Sequence, residues 1–141
     1  MSYNVPYQYA LCQNSSCPQA SECLRACAYE ELTADTKSIY VVNPQCYPKD
    51  GKPCEHFRST QKITFAWGIR NFYQTMSYPV ARKLKRELLE ELGCTKYYRF
   101  FREELPVKPA DQKLIKRVFK DNKIETEPAY TRFTKEYDWT Y

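Results

Sequence analysis

Cysteine is the residue whose type and spacing in this chain point most directly to chemistry. Four cysteines fall within sixteen positions, in the stretch ALCQNSSCPQASECLRAC, and Cys54 lies in a later turn-rich stretch. Thiolates bind zinc at about 2.3 Å, and zinc ligands often come from local pairs about two to four residues apart. The gaps here, of four, five and three residues, are looser than those of common zinc fingers. We predict a zinc site whose ligands are Cys12, Cys17, Cys23 and Cys54.

The sequence leaves other ligands and other roles open. Cys27 stands one helical turn after Cys23 on a predicted helix and is an alternative ligand. His56, the only histidine, lies two residues after Cys54 and is another. Four thiolates also suit a 4Fe-4S cluster, although no electron-transfer signature accompanies these cysteines. Simple burial of the thiols and disulfide formation are the remaining alternatives, because free cysteine is among the most buried residue types.

The inferred compartment favours a metal over disulfides. The start of the chain, MSYNVPYQYAL, has no basic stretch followed by an apolar run, so it predicts no secretory signal. The sequence contains no run of about 18 apolar residues, so it predicts no membrane span either. We therefore expect a cytoplasmic protein without a membrane partner, in a reducing environment that keeps thiols free. An odd number of cysteines, seven, is consistent with that expectation.

Length, composition and charge predict one small α+β domain with two functional parts. A chain of 141 residues, 43% of them hydrophobic, can build a core without help from a metal. Residues 1–60 carry 5 Lys and Arg against 6 Asp and Glu and form a cysteine-rich loop and helix subregion. Residues 61–141 carry 17 against 11 and form a basic, aromatic subregion. The two parts are expected to share one core.

Hydrophobic periodicity and turn residues predict the elements that position these side chains. In the first part, a helix begins after Pro18, a strand covers Ser38–Val42 and a tight turn lies at Asp50–Gly51. The second part is predicted to be a basic helix–strand–helix arrangement preceded by one strand and followed by a short helix. Its predicted elements are a strand over Lys62–Ile69, a helix over Val80–Leu92, a strand over 95–105, a helix over Asp111–Asn122 and a helix over 127–139.

Bases and aromatic rings are interleaved in the stretch KYYRFFRE, residues 96–103. In a strand, this pattern places rings beside cations on either face, and single-stranded nucleic acid binds such surfaces. We therefore expect nucleic acid, or a nucleic-acid machine such as a polymerase or ribosome, as the partner. A solvated charged face without a partner is the alternative. The expected binding residues are Lys96, Tyr98, Arg99, Phe100, Arg102, Lys113, Lys116 and Arg117.

The sequence offers little support for catalysis. It contains no Gly-rich phosphate loop and no nucleophile elbow, and it has a single histidine to serve as a base. We therefore predict a binding protein, not an enzyme, and infer no small-molecule substrate. An iron–sulfur redox or sensing protein is the main alternative, and a metal-free protein–protein interaction domain is the second.

Short motifs along nearly the whole chain resemble an uncharacterised Bacteroidales family catalogued as a domain of unknown function. The motifs are CPQASECLR, the turn Gly51–Cys54 with Phe57 after it, YYR at 97–99, P-x-x-Q at 109–112 and YDW at 137–139. The resemblance implies a cytoplasmic bacterial protein and no assigned activity. In the family a basic, glycine-containing stretch follows YYR, whereas this chain has FFRE there. That departure weakens the prediction of a basic hairpin at this position.

Overall fold

A computed structural model describes residues 3–140 of the chain. Four α-helices and short strands in two small sheets in this part of the chain confirm the predicted α+β class. The chain divides into two compact units, one formed by the residues up to Lys62 together with those from Tyr137 onward, and one by Ile63–Glu136. The division into parts 1–60 and 61–141 that share one core stays a prediction.

The first unit is built from short elements. Strand β1, Ala10–Leu11, pairs in parallel with β2, Tyr40–Val41. A turn of 3-10 helix over Ala20–Glu22 leads through Cys23 into helix α1, Leu24–Glu30. The predicted strand over 38–42 is therefore present but pairs at two residues only within this sheet.

The helix predicted to begin after Pro18 is interrupted at Cys23. This residue has extended backbone angles, φ −101° and ψ 123°, and forms an antiparallel bridge with Ser59. Since a bridge needs an extended residue, the helix cannot run through this position. Cys23 and Cys27 therefore do not lie on one continuous helix as predicted.

The tight turn predicted at Asp50–Gly51 is confirmed. Both residues have positive φ, 55° and 73°, and the Lys52 backbone N–H donates to the Lys49 carbonyl oxygen at 3.2 Å. Asp and Gly are the residues that accept two consecutive left-handed conformations most readily. The turn lies in the loop that carries Cys54.

Aromatic side chains form the core of the first unit. Tyr9, Leu11 and Ala28 are buried there, and Trp139 packs against them. The rings of Tyr9 and Trp139 meet edge to face, with centroids 5.0 Å apart, which is a favoured geometry for aromatic pairs. The C-terminal Trp139 thus closes the core that also includes β1.

The second unit packs three helices with a two-stranded sheet. Strand β3, Ile63–Trp67, pairs antiparallel with β4, Arg132–Glu136. The helices are α2, Tyr78–Leu92, α3, Cys94–Phe101, and α4, Pro109–Asp121. The predictions of β3, α2 and α4 are confirmed, with differences of a few residues at their ends.

The capping residues and the buried face of helix α2 explain why this helix formed where it was predicted. Ser77 is its N-cap residue and Gly93, with φ 85°, ends it. Leu84 and Leu88, one turn apart, are fully buried in the core of the unit. Helix α4 buries Ile115 against the same core and begins at Pro109.

The strand predicted over 95–105 is wrong, and so is the helix–strand–helix arrangement. Cys94–Phe101 instead form helix α3, in which Tyr97, Phe100 and Phe101 recur at the spacing of one helical face. Tyr97 and Phe100 are buried in the core. Gly93, with a positive φ that glycine adopts readily, lets the chain change direction between α2 and α3. Aromatic strand propensity was overridden by tertiary packing.

The short helix predicted over 127–139 is also wrong, because this segment forms β4. Thr131, Phe133 and Thr134 favour a strand, and the segment pairs with β3 over five residues. The Trp67 indole N–H donates to the Thr134 hydroxyl at 2.9 Å across this pair. The pairing supplies β3 with backbone partners that a C-terminal helix could not provide.

Candidate metal centre

The predicted cysteine ligands line one small cavity in the first unit. Its volume is about 20 Å³, close to the space that one water molecule requires. Its lining includes all four predicted ligands and the alternative ligand His56. The cysteines that line the cavity are Cys12, Cys17, Cys23 and Cys54.

Backbone pairing brings the distant Cys54 loop to the N-terminal cysteines. The segment that follows Cys54 runs beside residues 22–24: the Leu24 N–H donates to the Arg58 carbonyl at 2.6 Å, and the Thr60 N–H donates to the Glu22 carbonyl at 3.2 Å. Cys23 lies at the centre of this pairing and is itself buried. Backbone hydrogen bonds therefore bring these two segments together.

Backbone hydrogen bonds hold the other two cysteines. The Cys12 N–H, directly after β1, donates to the Arg25 carbonyl at 3.2 Å. Cys17 ends a turn in which its N–H donates to the Asn14 carbonyl at 3.3 Å. Both thiols are half-buried and line the cavity.

The sulfurs are gathered but do not form a coordination shell. Within residues 3–140, no group of three or more Cys, His, Asp or Glu side chains is arranged to hold a metal ion. The seven cysteines are free thiols. Metal binding at this cavity would require the thiols to lose their protons and close around the ion. The metal site therefore stays a prediction, with its ligands placed around a common space.

Cys27 is placed differently from Cys23. Its thiol lies 3.5 Å from the carbonyl oxygens of Ala20 and Ser21 and does not line the cavity. Burial raises the pKa of the Cys27 thiol, with the neighbouring Cys23 as a second cause. A protonated thiol at Cys27 is a weak hydrogen-bond donor to those carbonyls. The placement favours Cys23 over Cys27 as a ligand.

A buried arginine, which was not predicted as a site residue, lines the same cavity. Arg25 is 3% exposed. Its Nε donates to the His56 carbonyl at 2.8 Å and its Nη1 donates to the Ala10 carbonyl. Both partners are neutral, and within residues 3–140 no carboxylate forms an ion pair with this guanidinium. The one available signal was its position between two cysteines, in CLRAC.

A buried cation without an anion is costly, and thiolates at the cavity would relieve that cost. Four thiolates around Zn²⁺ carry a net charge of about −2. Arg25 would then face negative charge across the cavity wall, and that charge would balance its own. The charge distribution therefore fits a site that binds a cation through several thiolates.

The residues predicted to bind nucleic acid do not form one exposed ribbon. Phe100 is fully buried in the core, so it cannot stack on a base, and its prediction as a binding residue is corrected. The physical reason is the helical conformation of α3, which turns Phe100 inward and Arg99 outward. Tyr98 is half-buried, and the Lys85 Nζ lies 6.0 Å from the centre of its ring.

Several of the cations that were predicted to bind nucleic acid are held in ion pairs. The Lys96 Nζ lies 2.8 Å from an Asp111 carboxylate oxygen, and Arg102 is equally close to Glu104. Arg99 and Lys113 are exposed and form no ion pair in the part of the chain that the structure describes. On α4, the paired cations are Lys116 with Glu127 at 3.5 Å and Arg117 with Glu91 at 3.3 Å.

Comparisons with known proteins place the chain by family but not by activity. The model of a family described as "Family of unknown function (DUF6078)" matches residues 1–139. No curated protein and no solved structure matches the chain. Between residues 3 and 140, no helix has the length and apolar character needed to cross a membrane.

Proposed function

Because the chain belongs to the DUF6078 family, whose function is unknown, we propose a function from its own residues. The protein is a zinc-stabilised cytoplasmic binding protein that contacts nucleic acid or a nucleic-acid machine. One observation carries the zinc site: four cysteines from separate segments line one cavity beside the buried Arg25. We assign it no catalytic step and no small-molecule substrate.

The size of the cavity supports a single ion over a cluster. A space of about 20 Å³ accommodates one atom of water size. A 4Fe-4S cluster contains four irons and four sulfides, so it would hold the four cysteines farther apart than a single ion does. A zinc ion would require the thiolates to move inward to about 2.3 Å. Inward closure keeps the backbone pairing between Cys23 and Ser59 intact.

The role that we propose for the ion is structural. Four protein ligands leave no open position for substrate, as in closed zinc sites. The ion would tie Cys12, Cys17 and Cys23 to Cys54, closing a long loop and converting binding energy into folding energy. In a reducing cytoplasm, the same loop could not rely on disulfides.

The charge of the second unit supports the nucleic-acid part of the proposal. The segment Ile63–Glu136 contains 16 Lys and Arg against 10 Asp and Glu. Excess positive charge of this kind attracts polyanions and gives binding that weakens with salt. The first part of the chain has no such excess, so the two units would have separate roles in stability and in binding.

Metal content is the experiment that tests the zinc site. The full chain is purified without added metal, without chelator and without oxygen, and its zinc, iron and sulfide contents and visible spectrum are measured on one sample. We expect about one zinc per chain and no colour. Iron with sulfide and absorption near 400 nm would replace this proposal with a redox or sensing function. The absence of any metal would leave a metal-free interaction domain.

A further inference from the structure

A groove of about 780 Å³ runs along one face of α2 in the second unit. Its lining combines two tyrosines, three cations and a leucine. Residues three or four apart on a helix lie on the same face, and the α2 members of this set follow that spacing. These six residues are Tyr73, Tyr78, Arg82, Lys85, Arg86 and Leu89.

The three cations of this groove are available for a ligand. Within residues 3–140, no ion pair with a carboxylate involves Arg82, Lys85 or Arg86, and all three are exposed. This distinguishes them from cations such as Lys96 and Arg117, which pair with carboxylates. Glu90 also lines the groove, and the three cations outnumber it.

Aromatic rings lie beside these cations. Tyr78 is 75% exposed at the start of α2, one turn before Arg82. Tyr73 is held by a 2.7 Å hydrogen bond between its hydroxyl and that of the buried Tyr97. An exposed ring next to several cations is the combination that binds single-stranded nucleic acid, since bases stack on the ring and phosphates pair with the cations.

We infer that the α2 groove is a binding site for single-stranded nucleic acid. This inference rests on the nucleic-acid partner of the proposed function, and it moves the contact surface from the residues predicted on α3 and α4 to α2. On α4, Lys116 and Arg117 are held in ion pairs with carboxylates and are removed from the predicted surface together with Lys113. Arg82, Lys85 and Arg86 pair with successive phosphates, and Tyr78 stacks on a base. Charge complementarity favours a polyanion as occupant, and the 75% exposed ring of Tyr78 favours one that carries planar bases.

The test compares two triple variants of the full chain that remove equal charge. One carries Arg82→Gln, Lys85→Gln and Arg86→Gln in the groove. The control carries Lys113→Gln, Lys116→Gln and Arg117→Gln on α4. Glutamine is a good helix former, so both variants should fold, which circular dichroism checks. Binding is measured by fluorescence anisotropy with a labelled oligo(dT) and an RNA of about twelve nucleotides.

We expect the groove variant to bind at least about tenfold more weakly than the native chain in about 50 mM salt, and the control less than about threefold. Losing three phosphate contacts should also reduce the slope of log K against log salt by about 2. Tyr78→Ala should weaken binding by about fivefold or more and leave that slope unchanged, because stacking releases no counterions.

Three results would overturn the inference. The first is native binding by the groove variant, and the second is an equal loss in the α4 control. The third is binding of polyglutamate as tight as that of the oligonucleotides, which would identify the groove as a general site for acidic chains. A native chain that binds no oligonucleotide at low salt would instead overturn the nucleic-acid partner of the proposed function, and the groove assignment with it.

Discussion

The guanidinium carbon of Arg25 lies 4.3 Å from the centre of the Tyr9 ring. Tyr9 belongs to the core of the first unit, and Arg25 also lines the cavity of the four cysteines. One side chain therefore links the aromatic core to the candidate metal centre. The guanidinium contacts a ring and carbonyl oxygens, and within residues 3–140 it forms no ion pair with a carboxylate. Its positive charge is therefore one that thiolates at the cavity can balance.

Replacement of this side chain should affect both stability and metal affinity. Arg25→Met removes the donors to the His56 and Ala10 carbonyls, so we expect the free energy of unfolding to fall by about 1–3 kcal/mol. It should also weaken zinc binding, because the positive charge beside the thiolates is lost. Urea denaturation measures the first effect and competition with a chromogenic chelator the second.

Arg25→Lys is the matched control because it keeps the charge and loses the planar fork of donors. Its zinc affinity should lie nearer to that of the native chain than Arg25→Met does, whereas both variants should lose stability. Equal zinc affinity of native chain and Arg25→Met would show that the guanidinium has no electrostatic role at the cavity.

Serine substitutions should separate the cavity cysteines from the others. Loss of one of four thiolate ligands should lower the free energy of unfolding of the zinc-loaded chain by more than about 2 kcal/mol and reduce its zinc content. Cys46 and Cys94 are exposed, so their serine variants should stay within about 0.5 kcal/mol of the native chain. The cavity variants are Cys12→Ser, Cys17→Ser, Cys23→Ser and Cys54→Ser.

Cys27→Ser is the sharpest member of this series. Its thiol lies against the carbonyls of Ala20 and Ser21, away from the cavity, so the variant should retain about one zinc per chain. If Cys27→Ser lost its zinc and Cys23→Ser retained it, Cys27 would be the ligand in place of Cys23. Equal tolerance at all four cavity positions would show that the cysteines only pack.

Alkaline pH should reveal the half-buried Cys27 thiol. Burial raises the pKa of this thiol above its ordinary value of 9.0, so the folded chain keeps a proton that the unfolded chain releases. The stability that this provides is complete below that value and is lost as the pH rises through the folded pKa. With zinc removed from both proteins, the native chain should lose more stability than Cys27→Ala above about pH 9. Parallel pH profiles would contradict this linkage.

The success of the sequence predictions depended on whether local pattern or distant packing decided each element. Helix α2 follows from a local pattern, and it was predicted to within two residues of its observed ends. Residues 94–101 have strong strand propensity, but burial of Tyr97 and Phe100 against other helices makes them helical. β4 needs its partner β3, about seventy residues earlier, so its own sequence did not identify it.

The candidate site shows the same division. The clustering of cysteines was visible in the sequence, and the structure places the four predicted ligands around one cavity. The interruption at Cys23 was not visible, because it depends on a bridge to Ser59. Nor was Arg25, since an arginine in an amphipathic stretch normally faces solvent and its burial depends on carbonyls brought from Ala10 and His56.

Gly68 should be the least replaceable glycine in the chain. It follows β3 with φ 79°, and an added Cβ would lie 2.8 Å from the Cβ of Thr131. The Thr131 N–H donates to the Trp67 carbonyl at 2.8 Å, so the neighbour is held by backbone and cannot easily move. Gly68→Ala should therefore lower the free energy of unfolding by more than about 2 kcal/mol, from both the steric clash and the positive φ.

Gly51→Ala provides the control, since Gly51 also has positive φ, 73°, but has no atom within 4 Å of an added Cβ. It should cost about 1–2 kcal/mol from the left-handed conformation alone. Urea denaturation of both variants measures the difference. If Gly68→Ala lowered the free energy of unfolding no more than Gly51→Ala, Thr131 would be able to move away from the added methyl group. The double variant Gly68→Ala with Thr131→Gly should recover the steric part of the loss, because it removes the side chain that the new methyl group meets.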